Sequence, residues 1–155
     1  MGLKNEYFHG GPVAFNAVMN AWAYSVPDEI HEVVFQKLAL DALAKLTLKT
    51  PVKTGRARGN WQVTIGSPSY SYDESKTDSS GGEANQDPGL TFENASGGGA
   101  VISEGSATIM NAPDYSIIWI SNNVPYIMVL EEGSSSQAPT GMLANTMNEL
   151  EVVFT

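Results

Sequence analysis

The chain has 155 residues, no cysteine and a formal net charge of -9, from eight basic and seventeen acidic residues. This length suits one domain with a real core, and the missing cysteines exclude a disulfide framework or a thiolate metal site. The acidic balance argues against a protein that grips nucleic acid through its phosphates. It suits a surface past which DNA slides without sticking, although good solubility is the commoner reason for such a balance.

The sequence predicts neither a membrane span nor a targeting segment. No run of some 18 or more apolar residues occurs, so we expect no helix that crosses a bilayer. The N-terminus, MGLKNEYFHGG, lacks the basic and then apolar pattern of a secretory signal. Glu6 stands where a myristoylation motif requires Ser or Thr.

Two helices are predicted in the first third of the chain. Apolar residues at helical spacing predict a short helix over 15–24 and a longer one from Asp28 to about Lys49. We expect the Ser25 hydroxyl to cap the start of the longer helix and Pro51 to end it. Lys49 and a second lysine lie in its last turns, where cations complement exposed carbonyl groups.

The stretch that follows, TPVKTGRARGNWQVTI (50–65), is the centre of the chain's organisation. Thr54 is predicted to cap a short helical turn over 55–58. A strand over 61–65 should then place Trp61 on its buried face, because apolar and polar residues alternate there.

Arg56 and Arg58 allow two interpretations. They could contact a phosphate or a neighbouring subunit, or they could form an intramolecular fork to Glu131 or Glu132 that fixes the turn. A guanidinium group can hold a carboxylate through two parallel hydrogen bonds, so both uses are physically sensible. The sequence leaves both open.

The middle of the chain, residues 69–99, is rich in Ser, Gly, Asp and Asn. Such a composition buries little apolar surface, so it predicts a long loop or a partly disordered excursion. Leu90 and Phe92 are its only evident anchors.

The last third predicts three further helices and one strand. A helix over 100–112 requires that Gly105 be tolerated inside it. The run 115–121, YSIIWIS, predicts a buried strand. Pro125 suits the first position of a short helix that Gly133 closes.

That short helix should pack against the body through Tyr126, Val129 and Leu130. Thr140 is predicted to cap a final helix over 142–150. An apolar tail, 152–154, follows it. Together these elements predict an α+β fold: a single small domain over 1–155, with several helices packed on a small β-sheet and a long Gly/Ser-rich middle loop.

The sequence offers no recognisable catalytic or metal site, and we predict no cofactor. His9 and His31 are the only imidazoles, and neither belongs to a ligand spacing. Carboxylates occur in adjacent pairs, but neighbouring helical residues point to different faces, so Glu131 and Glu132 cannot easily share a substrate. We therefore predict that the chain is not an enzyme, and keep a hydrolase using one of these glutamates as the less favoured alternative.

Four blocks of the chain resemble the neck or tail-completion proteins of long-tailed bacteriophages, a group that includes relatives of the minor tail protein Z of phage lambda. The blocks are TPVKTGRARGNW (50–61), ISNNVPY (120–126), LEEG (130–133) and QAPTGM (137–142). They come in the family's order around a variable middle. With the helix before Thr50 they cover about a third of the chain.

The resemblance implies a structural virion protein, made in the host cytoplasm, that assembles as a homo-oligomeric ring at the head-proximal end of the tail. In the family this ring is expected to be a hexamer. It completes the tail tube and joins it to the filled head, between tail-terminator and head-closure proteins, while DNA passes through without specific binding. No catalytic residue carries over.

The resemblance also implies a set of structural or interface residues: Thr54, Gly55, Arg56, Arg58, Trp61, Asn122, Asn123, Pro125, Tyr126, Glu131, Gly133, Gln137 and Pro139. The chain departs from the family pattern at Lys53, where an acidic residue is usual, and in the length of its middle loop. An adaptor that binds another virion protein through residues 69–99 is the main alternative function.

Overall fold

The structure is a computed structural model that describes residues 11–25 and 27–153, with the side chains of 11–14, 28 and 29 excepted. Its elements in chain order are α1 (Gly11–Ala23), α2 (Asp28–Lys49), α3 (Arg56–Gly59), β1 (Gln62–Ile65), α4 (Gly99–Met110), β2 (Ile118–Ser121), α5 (Ile127–Glu131) and α6 (Leu143–Val153). These elements confirm the α+β class. None of the helices in this part of the chain is long and apolar enough to cross a membrane.

The sheet consists of two antiparallel strands. β1 pairs with β2 so that Gln62 lies opposite Ser121 and Ile65 opposite Ile118. One face of this ribbon packs against the helices, which is where Val63 and Ile120 contact the core. A two-stranded ribbon needs such packing, because on its own it is only marginally stable in water.

The core lies between α2, α4 and the sheet. Its buried members are Leu40, Leu43, Leu46, Trp61, Val101, Ile109, Ala138 and Met142. The predicted helix over 100–112 is confirmed, and Gly105 has a packing role within it. A Cβ atom at Gly105 would lie 2.5 Å from Leu43 Cδ2 and 2.9 Å from Val63 Cγ2, so α4 can approach α2 and β1 this closely only with glycine there.

The bounds of α2 match the prediction, but its cap does not. Thr50 stands at the C-cap, directly before Pro51, as expected. At the start, Pro27 is the N-cap residue and no side chain caps it. The Ser25 hydroxyl instead donates a 2.7 Å hydrogen bond to the Trp22 carbonyl, so it serves the end of α1.

The lysines at the end of α2 also differ from the prediction. Lys45 and Lys49 are buried, and both pair with Glu149 of α6, at 2.7 and 2.9 Å between nitrogen and oxygen. Burial lowers the pKa of Lys49, and the neighbouring Glu149 partly offsets that effect. These lysines therefore join two helices, and Lys45 also donates to the carbonyl of Pro88 in the middle loop at 2.8 Å.

The second strand is shorter and more exposed than predicted. β2 spans only Ile118–Ser121. Trp119 on its outer face is partly exposed, and Ile117, which precedes the strand, is exposed. The apolar run predicted a buried strand, but the described part of the chain leaves Trp119 on the outer face partly exposed. Val129 of α5 is likewise exposed, so only part of the predicted packing face of that helix is used.

The final helix is present, but Thr140 does not cap it. The Thr140 hydroxyl pairs with the Asn145 side chain. Val152 and Val153 at the end of α6 are exposed, and Phe154 lies outside the described residues. His9 also lies outside them. The His31 ring contacts the Trp22 ring in a tilted arrangement, with 5.4 Å between the ring centroids.

Candidate functional site

The four family-like blocks meet around one turn, which we call the corner and define as residues Thr50–Trp61. The corner begins where α2 ends and finishes where β1 begins. Its two ends are tied together, because the Trp61 indole N–H donates to the Thr50 hydroxyl at 2.7 Å. That hydroxyl donates in turn to the Leu46 carbonyl at 2.6 Å.

Arg58 is the buried centre of the corner. Its guanidinium group donates to four backbone carbonyls: those of Ser80 and Gly82 at 2.8 and 2.9 Å, and those of Leu48 and Thr50 at 3.4 and 3.1 Å. The side chain is fully buried. Burial lowers the pKa of Arg58, and the nearby Asp78 carboxylate partly offsets this.

The predicted fork from Arg58 to a glutamate is therefore wrong. Arg58 is fully buried and both of its terminal nitrogens bond backbone oxygens, so it cannot reach a phosphate or a neighbouring subunit either. The physical reason is the middle loop, which folds back over α3 and presents the carbonyls of Ser80 and Gly82 to the guanidinium group. Arg58 ties the end of α2 to that loop.

Glu131 has a different partner from the one predicted. Its Oε2 accepts hydrogen bonds from the N–H groups of Met142 and Leu143, both at 2.8 Å, and its Oε1 accepts from Ala144 at 2.9 Å. These are orphan donors at the start of α6, where the helix dipole also favours a negative charge. Glu131 caps α6 in the place predicted for Thr140, and Glu132 beside it is exposed.

Glycines and an asparagine of the corner hold the middle loop. A Cβ atom at Gly55 would lie 2.6 Å from the backbone of Asp78, and one at Gly59 would lie 2.9 Å from Thr77. The Asn60 side chain donates to the carbonyl of Asp73 at 2.9 Å and accepts from its N–H at 2.8 Å. The loop is thus a second wall of the corner, and Leu90 and Phe92 anchor it to the core as predicted.

The second block contacts both the corner and the loop. Asn122 donates to the carbonyl of Ala57 at 2.7 Å, and Asn123 donates to the carbonyls of Ser69 and Ser71 at 2.9 and 3.1 Å. These asparagines follow β2, so pairing of the two strands brings them beside α3.

Gln137 of the fourth block joins three segments. Its side-chain amide bonds both the N–H and the carbonyl of Val52, at 3.0 and 2.9 Å, much as a neighbouring strand would. The same side-chain oxygen accepts from the N–H of Ala84 at 3.0 Å, and Gln86 donates to the Gln137 carbonyl at 2.8 Å. Sequence patterns did not single out Gln86, since its role depends on where the loop lands.

The remaining predicted residues shape the segment between α5 and α6. Gly133 has a φ of 89° and closes α5, as predicted. A side chain at Gly133 would also collide with the carbonyl of Pro139. Pro125 does not take the predicted first helical position: α5 begins at Ile127, with the half-buried Tyr126 as its N-cap residue, and Pro125 precedes it and is exposed.

Thr54 and Arg56 occupy the outer side of the corner. The Thr54 hydroxyl accepts from the Arg56 N–H at 3.4 Å, which gives the short helix α3 part of the predicted support, although Gly55 is its N-cap residue. Arg56 makes no ion pair with any described residue, and its Nε atom is buried without a hydrogen-bond partner there. The two arginines of the motif are therefore not equivalent.

An open groove of about 630 Å³ runs along this outer side. Its lining comes from the corner, from α5 and from the segment before Gln137: Pro51, Val52, Lys53, Thr54, Gly55, Arg56, Ala57, Tyr126, Leu130, Ser134, Ser135, Ser136 and Gln137. Groups of three or more histidine, cysteine, aspartate or glutamate side chains that could hold a metal ion do not occur in the described part of the chain. The groove is suited to binding by charge and hydrogen bonds.

Comparison of this chain with protein-family models, with curated proteins and with solved structures finds no match.

Proposed function

We propose that this chain is a structural subunit that forms a ring at the head-proximal end of a phage tail, completes the tail and joins it to the head around the DNA channel. One observation carries the proposal. The four blocks that resemble the tail-completion family are far apart in sequence, yet they form one connected unit around the corner. Hydrogen bonds from Asn122 to Ala57 and from Gln137 to Val52 connect them.

The arrangement supports a rigid subunit with a fixed outer surface. Among the described residues, Arg58 and Glu131 bond backbone groups alone, so their charges hold the corner and the start of α6 in place. A rigid subunit can present the same face to each neighbour, which a closed ring requires. We expect the protein in the virion, with tail-terminator and head-closure proteins as its neighbours.

The test is to delete the gene for this chain from the phage genome that carries it and to image the particles that the deletion strain produces. We expect filled heads and separate tails, with joining restored when the wild-type chain is supplied in trans. Normal joined, infectious particles from the deletion strain would contradict the proposal. A corner variant that unfolds, such as one at Arg58, should behave like the deletion.

An adaptor function for the middle loop is the second candidate. The loop's inner side is fixed by Arg58 and Asn60, but Tyr70 is almost fully exposed. Deletion of residues 78–85 would not isolate this function, since it removes two carbonyls that Arg58 binds. Tyr70→Ser is the cleaner test: loss of a virion partner from a stably folded subunit would favour the adaptor.

The hydrolase alternative is disfavoured by the geometry of its proposed residues. Both oxygens of Glu131 accept backbone N–H groups at the start of α6, so neither is available to take a proton from water. Glu132 is exposed and is not part of the groove lining.

A further inference from the structure

The groove beside the corner is cationic in a chain that is acidic overall. Lys53 and Arg56 lie in its lining, and none of the lining residues is acidic. The whole chain carries a formal net charge of -9. A local reversal of sign on one side of an acidic protein therefore needs a physical explanation.

Most of the other cationic side chains already have partners within the chain. Lys37 pairs with Asp41 and Glu93, Lys45 and Lys49 pair with Glu149, and Arg58 bonds four carbonyls. Within residues 11–25 and 27–153, only Lys53, Arg56 and Lys76 make no ion pair and are not enclosed. Two of these three line the same groove.

We propose that this groove binds a carboxylate-bearing segment of a second copy of the chain. The inference rests on the proposed ring and names the chemistry of its contact. A guanidinium group forms two parallel hydrogen bonds with a carboxylate, and Arg56 lines the groove without an ion pair to any described residue. Lys53 adds a second positive charge, and Ser134 to Ser136 bring hydroxyl groups to the lining.

Charge complementarity selects the occupant. Seventeen acidic residues against eight basic ones make the remaining surface of another copy a ready source of carboxylates. A nucleic acid would meet the same cations, but the net charge of the chain repels a polyanion as a whole. When the groove of each copy takes an acidic segment of the next copy, the contact is heterologous, and such contacts form a ring where the rotation between copies closes.

Cross-linking tests this directly. Isotopically light and heavy copies of the full chain are mixed at high concentration and treated with a carbodiimide, which joins an amine to a carboxylate only when they touch. We expect mixed light and heavy peptides in which Lys53 is linked to an aspartate or glutamate of the other copy. Lys76 is the matched control, since it is exposed, makes no ion pair with a described residue and lies outside the groove.

Links from Lys53 that stay within one copy, or that are no more frequent than links from Lys76, would overturn the proposal. A double variant, Lys53→Glu with Arg56→Glu, should weaken self-association measured by sedimentation by at least about tenfold, because like charges then face each other. Lys76→Glu should leave it unchanged. Arg56→Gln, which removes the positive charge without introducing a negative one, should give a smaller loss in the same direction.

Two further outcomes separate this inference from the ring itself. If deletion of the gene blocks head-to-tail joining but the double variant restores it fully, the ring stands and the groove is not its contact. If the wild-type chain slows a short DNA duplex in gel electrophoresis, and the double variant does not although Lys76→Glu does, the occupant is a phosphate backbone. The proposal of a second copy is then wrong.

Discussion

Two arginines that stand two residues apart in the sequence have opposite environments in the fold. Arg58 is enclosed and bonds four backbone carbonyls, whereas Arg56 lines an open groove and makes no ion pair with any described residue. Local sequence could not distinguish them, because the difference comes from the carbonyls of Ser80 and Gly82, more than twenty residues away. One arginine stabilises the fold and the other is available for binding.

Replacement of Arg58 by methionine should therefore be costly. The substitution keeps much of the side-chain volume but leaves the carbonyls of Ser80 and Gly82 without a donor. We expect a loss of about 3 kcal/mol in the free energy of unfolding, which corresponds to a fall in melting temperature of about 6 to 12 °C. Urea unfolding followed by tryptophan fluorescence measures the change.

Arg56→Met is the matched control for that experiment. This substitution removes the same charge from the same short helix, but it breaks no ion pair with a described residue. The free energy of unfolding should therefore change by no more than about 0.5 kcal/mol. Equal losses at the two positions would show that the carbonyl bonds of Arg58 contribute little.

At the scale of elements, helices α5 and α6 are joined through one carboxylate. Glu131 ends α5 and accepts three N–H groups at the start of α6. In Glu131→Gln, only one oxygen remains as acceptor and the charge at the helix N-terminus is lost. We expect a loss of about 2 kcal/mol in unfolding free energy.

Glu132→Gln provides the comparison for this prediction. Glu132 is exposed and makes none of these bonds, so its replacement should change stability by less than about 0.5 kcal/mol. Thermal unfolding followed by far-ultraviolet circular dichroism compares the two variants. A Glu131→Gln chain as stable as the wild type would contradict the capping role.

The helices could be predicted from sequence because their signals are local. Periodicity and Pro51 placed α2 within a residue or so of its observed bounds, and Gly133 marked the end of α5. The predictions of the capping residues failed because a cap depends on partners that the fold brings together. At α6, for example, Glu131 takes the place predicted for Thr140. The prediction of a buried strand failed at Trp119 for a similar reason, since an apolar run does not indicate how many layers of structure will cover it.

At the scale of the whole molecule, the middle loop is part of the fold. Composition predicted the loop and its two anchors, Leu90 and Phe92, correctly. It gave no sign that the loop would supply ligands to Arg58, because backbone carbonyls leave no trace in sequence. The loop and the corner should therefore unfold together, as one cooperative unit.

Two glycines allow a matched test of that coupling. Gly55 and Gly66 have φ angles of 83° and 85°, so alanine should cause similar backbone strain at both positions. A Cβ atom at Gly55 would also lie 2.6 Å from the backbone of Asp78, whereas one at Gly66 would meet nothing within 4 Å. Gly55→Ala should thus cost at least about 1 to 3 kcal/mol more than Gly66→Ala, since the loop must move away.

The displaced loop should then become a protease substrate. Glu83 is exposed within it, so a glutamate-specific protease can report its release. In the wild type and in Gly66→Ala, we expect cleavage at Glu83 to rise with denaturant at the same midpoint as the loss of tryptophan signal. In Gly55→Ala, cleavage should begin at lower denaturant. Rapid cleavage of the native wild type, with the tryptophan signal unchanged, would mean that the loop opens independently and that Arg58 holds the corner without it.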